Sequence, residues 1–254
     1  MNKQSIFYLF SCLAFCFSTA HAAEEEKSMP YSYASYFQCS PASEADVDEL
    51  VTTTYAKAYD EAKKEGAILG WGWLQHHTGG KWRRILYHTA ADVNALLDAQ
   101  EVIGEKLTKA IGDGPDALSK GCTTHEDYIW QYVTGSNPEG PADRGTASMS
   151  VYFYCDITAD EKIDEIVKTT FAKVYNANVG EGKLTSWGWN THVVGGKYRK
   201  LATMTAASYK DLLAAREVIL EQLYSDKANE KPAQEFSKMC KSHSDYLWTI
   251  AKEN

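Results

Sequence analysis

The sequence repeats itself once, and this constrains the fold more than any other feature. Shifted by 116 positions, Cys39 falls on Cys155, Trp71-Gly72-Trp73 on Trp187-Gly188-Trp189 and His76 on His192. Gly79-Gly80-Lys81 likewise falls on Gly195-Gly196-Lys197, and Arg83 on Arg199. From Cys39 to Leu107, 30 of 69 ungapped positions are identical. After a slip of two residues, Cys122 matches Cys240, and His125, Asp127, Tyr128 and Trp130 match His243, Asp245, Tyr246 and Trp248. A period this long exceeds a solenoid unit and has the size of a small complete domain. The chain therefore divides into a first copy at 23–133, a polar Gly/Pro-rich linker at 134–148 and a second copy at 149–254.

Residues 1–22 read as a signal peptide. Lys3 supplies the positive start, Ile6 to Phe17 an apolar run too short to span a bilayer, and Ala20-His21-Ala22 the small-x-small cleavage site. Phe15 before Cys16 excludes a lipoprotein signal. No later stretch is apolar enough for a membrane span, so a periplasmic or secreted protein is expected. Cleavage leaves Cys39, Cys122, Cys155 and Cys240, an even number with no C-x-x-C pair. In an exported chain that favours disulfides over metal or thiol chemistry. The net charge of −8 argues against general binding to nucleic acid.

Each copy has one order of elements. An aromatic strand (Tyr33–Cys39, Met149–Cys155) leads to an amphipathic helix. That helix carries Val47, Leu50, Val51, Tyr55, Ala58 and Tyr59 in the first copy, and Ile163, Ile166, Val167, Phe171, Val174 and Tyr175 in the second. A hairpin turned at Gly79-Gly80 follows, then a helix with Val93, Leu96, Leu97, Ile103 and Leu107, a helical turn near 116–120, and a last strand with Tyr128, Trp130 and Tyr132. The order β-α-β-β-α-β is the split βαβ or ferredoxin-like unit. There the first and last strands are antiparallel neighbours. Cys39 ends one and Cys122 precedes the other, so these should bridge, and likewise Cys155 and Cys240.

On this order and duplication, residues 31–254 resemble the dimeric α/β-barrel superfamily. The resemblance implies an α+β fold: two tandem ferredoxin-like βαββαβ repeats packed as a pseudo-twofold single-chain α/β barrel. A fused pair would replace the dimer and suits a monomer. The superfamily includes haem-binding enzymes, small monooxygenases, isomerases and proteins without known activity, so it selects no function.

A two-residue loop at Gly79-Gly80 sets His77 opposite Trp82, His76 opposite Arg83, Leu74 opposite Ile85 and Gly72 opposite Tyr87. His76 and Arg83, repeated as His192 and Arg199, then share a face and suit an anionic ligand, with Lys81 and Lys197 nearby. The bland alternative is that they pair with local acids and hold the hairpin. Trp71, Trp73 and Trp82 fall on the other face with Arg84; Trp187, Trp189, Tyr198 and Lys200 repeat them. Core packing explains them first, an aromatic ligand slot second. His125 with Asp127 and His243 with Asp245 suit either an oriented base or a steadied strand end. No H-E-x-x-H, G-x-S-x-G, Walker or G-x-G-x-x-G motif occurs, and no metal site is expected. The expected function is an exported module binding a small organic anion or aromatic compound, with candidate residues His76, Lys81, Arg83, Trp71, Trp73, His192, Lys197, Arg199, Trp187 and Trp189. The alternatives are a barrel-type oxidoreductase, cofactor-free or haem-dependent, and a non-catalytic interaction protein. No cofactor is expected, haem being the alternative.

Overall fold

The computed structural model describes residues 29–136 and 144–254; the signal-peptide reading and linker residues 137–143 lie outside them. The first repeat runs β1 (Tyr31–Gln38), α1 (Glu44–Leu50), a π-helical turn (Val51–Tyr55), α2 (Ala56–Lys64), β2 (Gly70–Thr78), β3 (Arg84–Ala90), α3 (Val93–Ile111), α4 (Ala117–Gly121) and β4 (Thr124–Gly135). The second runs β5 (Ala147–Cys155), α5 (Asp160–Ile166), a π-helical turn (Val167–Phe171), α6 (Ala172–Gly180), β6 (Ser186–Val194), β7 (Lys200–Ala206), α7 (Tyr209–Tyr224), α8 (Lys227–Met239) and β8 (Cys240–Glu253).

Within each repeat the strand order is that of a ferredoxin-like unit: β4-β1-β3-β2 and β8-β5-β7-β6. Antiparallel pairing of β2 with β8 and of β4 with β6 joins the two into a closed eight-stranded barrel. Closure removes the sheet edges that either unit alone would expose. The glycine turn sets the expected register, with Gly72 opposite Tyr87 and Leu74 opposite Ile85. Gly79 and Gly195 adopt φ of 133° and 142°, which a side chain would oppose.

Both disulfides form as the strand order requires, Cys39–Cys122 and Cys155–Cys240, with Cα atoms 3.9 and 4.0 Å apart. Their position at matching strand ends ties β1 to β4 and β5 to β8.

Alternation along the strands sorts side chains into two kinds of core. Outside the barrel, helices cover the sheet: Val47, Val51, Leu96 and Ile103 pack in the first repeat, and Ile163, Val167, Leu212 and Ile219 in the second. Each such burial contributes roughly 1.5–3 kcal/mol. Inside, an aromatic cluster fills the barrel, including Tyr36, Trp82, Tyr128, Trp130, Tyr152, Tyr198, Tyr246 and Trp248. Trp71 and Trp73 share one face, as the register places them, and the structure shows it to be the helix-covered face; Trp82 does not join them there. The ladder stops short of Trp82, leaving residues 79–83 irregular. The indole therefore turns inward and stacks on Tyr36, with centroids 4.4 Å apart. Tyr198 makes the same move in the second repeat. The shared-face expectation for Trp82 and Tyr198 is thus corrected.

Candidate functional site

The repeated residues gather at the two seams where the units join. The Gly79-Gly80 turn lies against Tyr246, so close that a Cβ on Gly80 would sit 2.4 Å from the Tyr246 hydroxyl. Gly195-Gly196 lies against Tyr128 in the same way. His76 meets Tyr246 and Trp248 edge-on, and His192 meets Tyr128 and Trp130. Arg83 Nη1 donates to His76 Nδ1 at 2.7 Å, and Arg199 Nη1 to His192 Nδ1 at 2.6 Å. An acceptor at Nδ1 requires a neutral ring with its proton on Nε2. Burial, helped by the guanidinium, holds both histidines below their ordinary value. Each arginine also bonds a local acid, Arg83 to Glu44 and Arg199 to Asp160, both at 2.6 Å. Lys81 pairs with Glu126, and Lys197 lies over the Tyr154 ring at 5.0 Å. Both arginines thus pair with acids of their own repeat.

Trp71 and Trp73 are fully buried, and their indole N–H groups donate to Asp60 and Asp48 at 2.8 Å. Trp187 and Trp189 donate to Asn176 and Asp164 at 2.7 Å. Asp48 also takes both prongs of Arg84 at 2.6 Å, and Asp164 takes Lys200 at 2.7 Å. These are helix-to-sheet clamps in which one carboxylate holds an indole and a cation. Of the four tryptophans, Trp187 alone also lines the barrel cavity.

That cavity, about 170 Å³, lies within the barrel and brings Trp130 and Trp187, both repeated, together with residues that the repeat did not single out. Its walls are Tyr36, Leu74, Ile85, Tyr87, Trp130, Tyr132, Tyr152, Trp187 and Leu201, with small polar groups at Ser32, Ser148, Ser150, Asn190 and Thr203. Leu69, 41% exposed, marks the end that reaches solvent. Arg144 also lines it, donating through Nε to Glu253 Oε2 at 3.1 Å and through Nη2 to Glu253 Oε1 and the Tyr87 oxygen. Tyr87 in turn donates to Glu253 at 2.6 Å. Its ring fills the space over Gly72, where a Cβ would lie 2.4 Å from Cε1. Burial and the Glu253 charge push the Tyr87 hydroxyl well up, so it stays protonated. The Tyr132 hydroxyl is buried without a partner among the described residues, and burial pushes it up to about 12. A buried hydroxyl lacking its bond costs free energy unless something supplies one.

This set is not duplicated. In the second repeat Thr203 stands where Tyr87 does, Gly135 stands where Glu253 does in the first, and Ile250 where Tyr132 does. Of the candidate residues read from the repeat, Trp187 lines this cavity. Tyr87, Tyr132 and Glu253 stand at positions where the copies disagree, and that departure is the signal the sequence offers for them.

Haem does not suit these cavities. Its iron takes an axial His, Cys, Met or Tyr. The barrel cavity is lined by no His, Cys or Met; Tyr87 is already bonded to Glu253 and Arg144, whereas Tyr132 has a hydroxyl unpartnered among the described residues, so size decides. A second cavity of about 270 Å³, under the helices of the second repeat, does have His243 on its wall. One benzene occupies about 150 Å³ of this kind of space, and a porphyrin links four pyrroles, so neither cavity admits it.

Two fused ferredoxin-like units closed into an eight-stranded barrel around a cavity define the dimeric α/β-barrel class, here built from a single chain. No protein-family model and no curated protein matches the sequence. Solved structures align with the fold. A proposed monooxygenase from Lactobacillus acidophilus NCFM aligns with a TM-score of 0.61 and 11% identity over 89% of this chain and 95% of its own. An anthrone oxidase-like protein aligns with a TM-score of 0.57 and 9% identity over 90% of this chain and 94% of its own. A mutant chlorite dismutase from Candidatus Nitrospira defluvii aligns with a TM-score of 0.54 and 8% identity over 89% of this chain and 92% of its own. At such identities the likeness is one of fold.

Proposed function

We propose that this chain is an exported barrel-type oxidoreductase that takes a small hydroxylated aromatic compound into the barrel and oxidises it without haem. The observation that carries the reading is the unpartnered Tyr132 hydroxyl in a ring-sized aromatic cavity whose mouth is held by the unduplicated Arg144–Glu253–Tyr87 set. Structural neighbours described as a monooxygenase and as anthrone oxidase-like support oxidation in preference to binding alone. The leader and the two disulfides suit an oxidising compartment.

The lining offers hydroxyl donors but no free carboxylate, since Glu253 is bonded to Arg144 and Tyr87. The suitable substrate is an electron-rich phenol, which loses its O–H proton to water and shares the resulting charge between the oxygen and the ring carbon para to it. Tyr132 would donate to the phenolate oxygen, stabilising charge where it develops. The para carbon then reduces dioxygen by four electrons: its C–H becomes C=O with one oxygen atom, giving a quinone, and the other leaves as water with that hydrogen and one proton from solvent. The same commitment of Glu253 favours a second reading, a carrier that binds such a compound unchanged.

Dioxygen uptake measured with 3-methylphenol, a single-ring phenol of the size the cavity holds, alongside tryptophan fluorescence titration, separates the readings. Uptake above the protein-free rate supports the enzyme. Saturable quenching without uptake supports the carrier. Neither response removes both.

A further inference from the structure

We infer that the second repeat holds a separate binding site, between its sheet and its helices, for a small organic monoanion with an apolar body. The site is the cavity of about 270 Å³ bounded by Phe153, Phe171, Trp189, Phe236 and Leu223, on the opposite face of the sheet from the barrel interior. By the benzene standard of about 150 Å³ it has room for two fused rings or a short alkyl chain. Leu220 and Tyr224, both among the exposed large apolar residues, lie on its wall and mark an apolar opening.

Charge says what kind of ligand fits. The lining carries Arg216, Lys241 and His243 and no Asp or Glu. Asp245, just outside, takes one bond from Arg216 at 2.9 Å and one from His243 Nδ1 at 2.6 Å. Asp245 thus faces Arg216 and an imidazole, and Asp156 feels the exposed Lys241; both acids lie outside the lining, so the charged groups on the wall itself are the two cations. A carboxylate or sulfonate head there, with its body among the aromatics, satisfies both halves of the site.

The first repeat is built differently at the same positions. Gln100 and Thr123 stand where Arg216 and Lys241 do, and Leu86 stands where Ala202 lines the cavity. Tyr55 replaces Phe171 and spends its hydroxyl on Asp116. The missing bulk at Ala202 and the added cations at the rim occur together, in one copy only. Duplication for stability alone explains neither.

Calorimetric titration with naphthoate and its neutral amide tests the site. Wild type should bind naphthoate saturably and at least tenfold tighter than the amide. Arg216→Gln with Lys241→Gln, a change at the rim that leaves the packed walls untouched, should weaken naphthoate at least tenfold and the amide little. Ala202→Leu installs the first-repeat residue; it lines this cavity and not the barrel interior, so it should abolish binding while circular dichroism stays native. Absence of naphthoate binding, equal affinity for the amide, or full affinity in the double variant overturns the inference. So does full affinity in Ala202→Leu. Should Ala202→Leu fail to fold, the double variant decides. The barrel cavity enters none of these outcomes, so the oxidoreductase reading stands or falls separately.

Discussion

Arg144 and Glu253 lie 109 residues apart and meet as a two-pronged ion pair at the mouth of the barrel cavity. Arg144 enters from the segment between the repeats, Glu253 from the far end of β8. Both side chains are largely buried, and Tyr87 completes the set. Removing one partner strands the other charge. Arg144→Met or Glu253→Gln should cost about 3 kcal/mol in urea unfolding, and the double replacement by Met should recover most of it. Equal stability of the single variants would show that the pair is solvated.

Tyr132→Phe should act in the opposite direction on stability. Its hydroxyl is buried without a partner, so deleting it should leave the free protein as stable or up to about 1 kcal/mol more stable. Affinity for a hydroxylated aromatic should fall about tenfold, the worth of one hydrogen bond. Thermal melts and fluorescence titration together check both signs.

His88 is 4% exposed, stacks on Tyr33 and is pushed by burial to about 4. Its folded value lies below its unfolded one. Stability is therefore complete above about pH 6.5 and is lost as pH falls toward 4, because the unfolded chain takes up the proton first. The second repeat carries Met204 at this position. Between pH 7 and 4.5, His88→Met should retain about 2–3 kcal/mol that wild type loses. Parallel pH profiles for the two would contradict this.

Lys200 is 0% exposed and bonds Asp164, which also accepts from Trp189. Lys200→Met should cost about 3 kcal/mol by leaving that carboxylate without its cation. Adding Asp164→Asn should recover much of the loss, since the amide oxygen still accepts from the indole. Urea midpoints of the single and double variants test the clamp.

Replacing Cys39 and Cys122 by Ala together should cost about 4 kcal/mol if chain entropy governs a loop of this size. Non-reducing peptide maps should link Cys39 to Cys122 and Cys155 to Cys240.

Much of this was legible because local rules and the global fold agree. Turn glycines set the β2–β3 register, helical spacing placed Val47 and Ile103 inward, and strand order paired the cysteines. Trp82 escaped because a regular ladder was assumed through residues whose backbone leaves the sheet. The clamps at Asp48 and Asp164 join helix to strand across 25 residues, beyond any periodic pattern. The linker read over 134–148 is partly strand, since β4 runs to Gly135 and β5 begins at Ala147. Arg144, taken as part of that linker, lines the cavity. Repetition marks what both halves need, the seams and clamps. The cavity lining mixes repeated residues, Trp130 and Trp187, with residues at positions where the copies differ, Tyr87 and Tyr132, and only the first kind shows as a repeat.

The most direct measurement is diffraction from crystals soaked with 3-methylphenol. The account predicts one ring inside the barrel against Trp130, its hydroxyl within hydrogen-bond distance of Tyr132. An empty barrel cavity, with the phenol elsewhere or not bound at all, would contradict it.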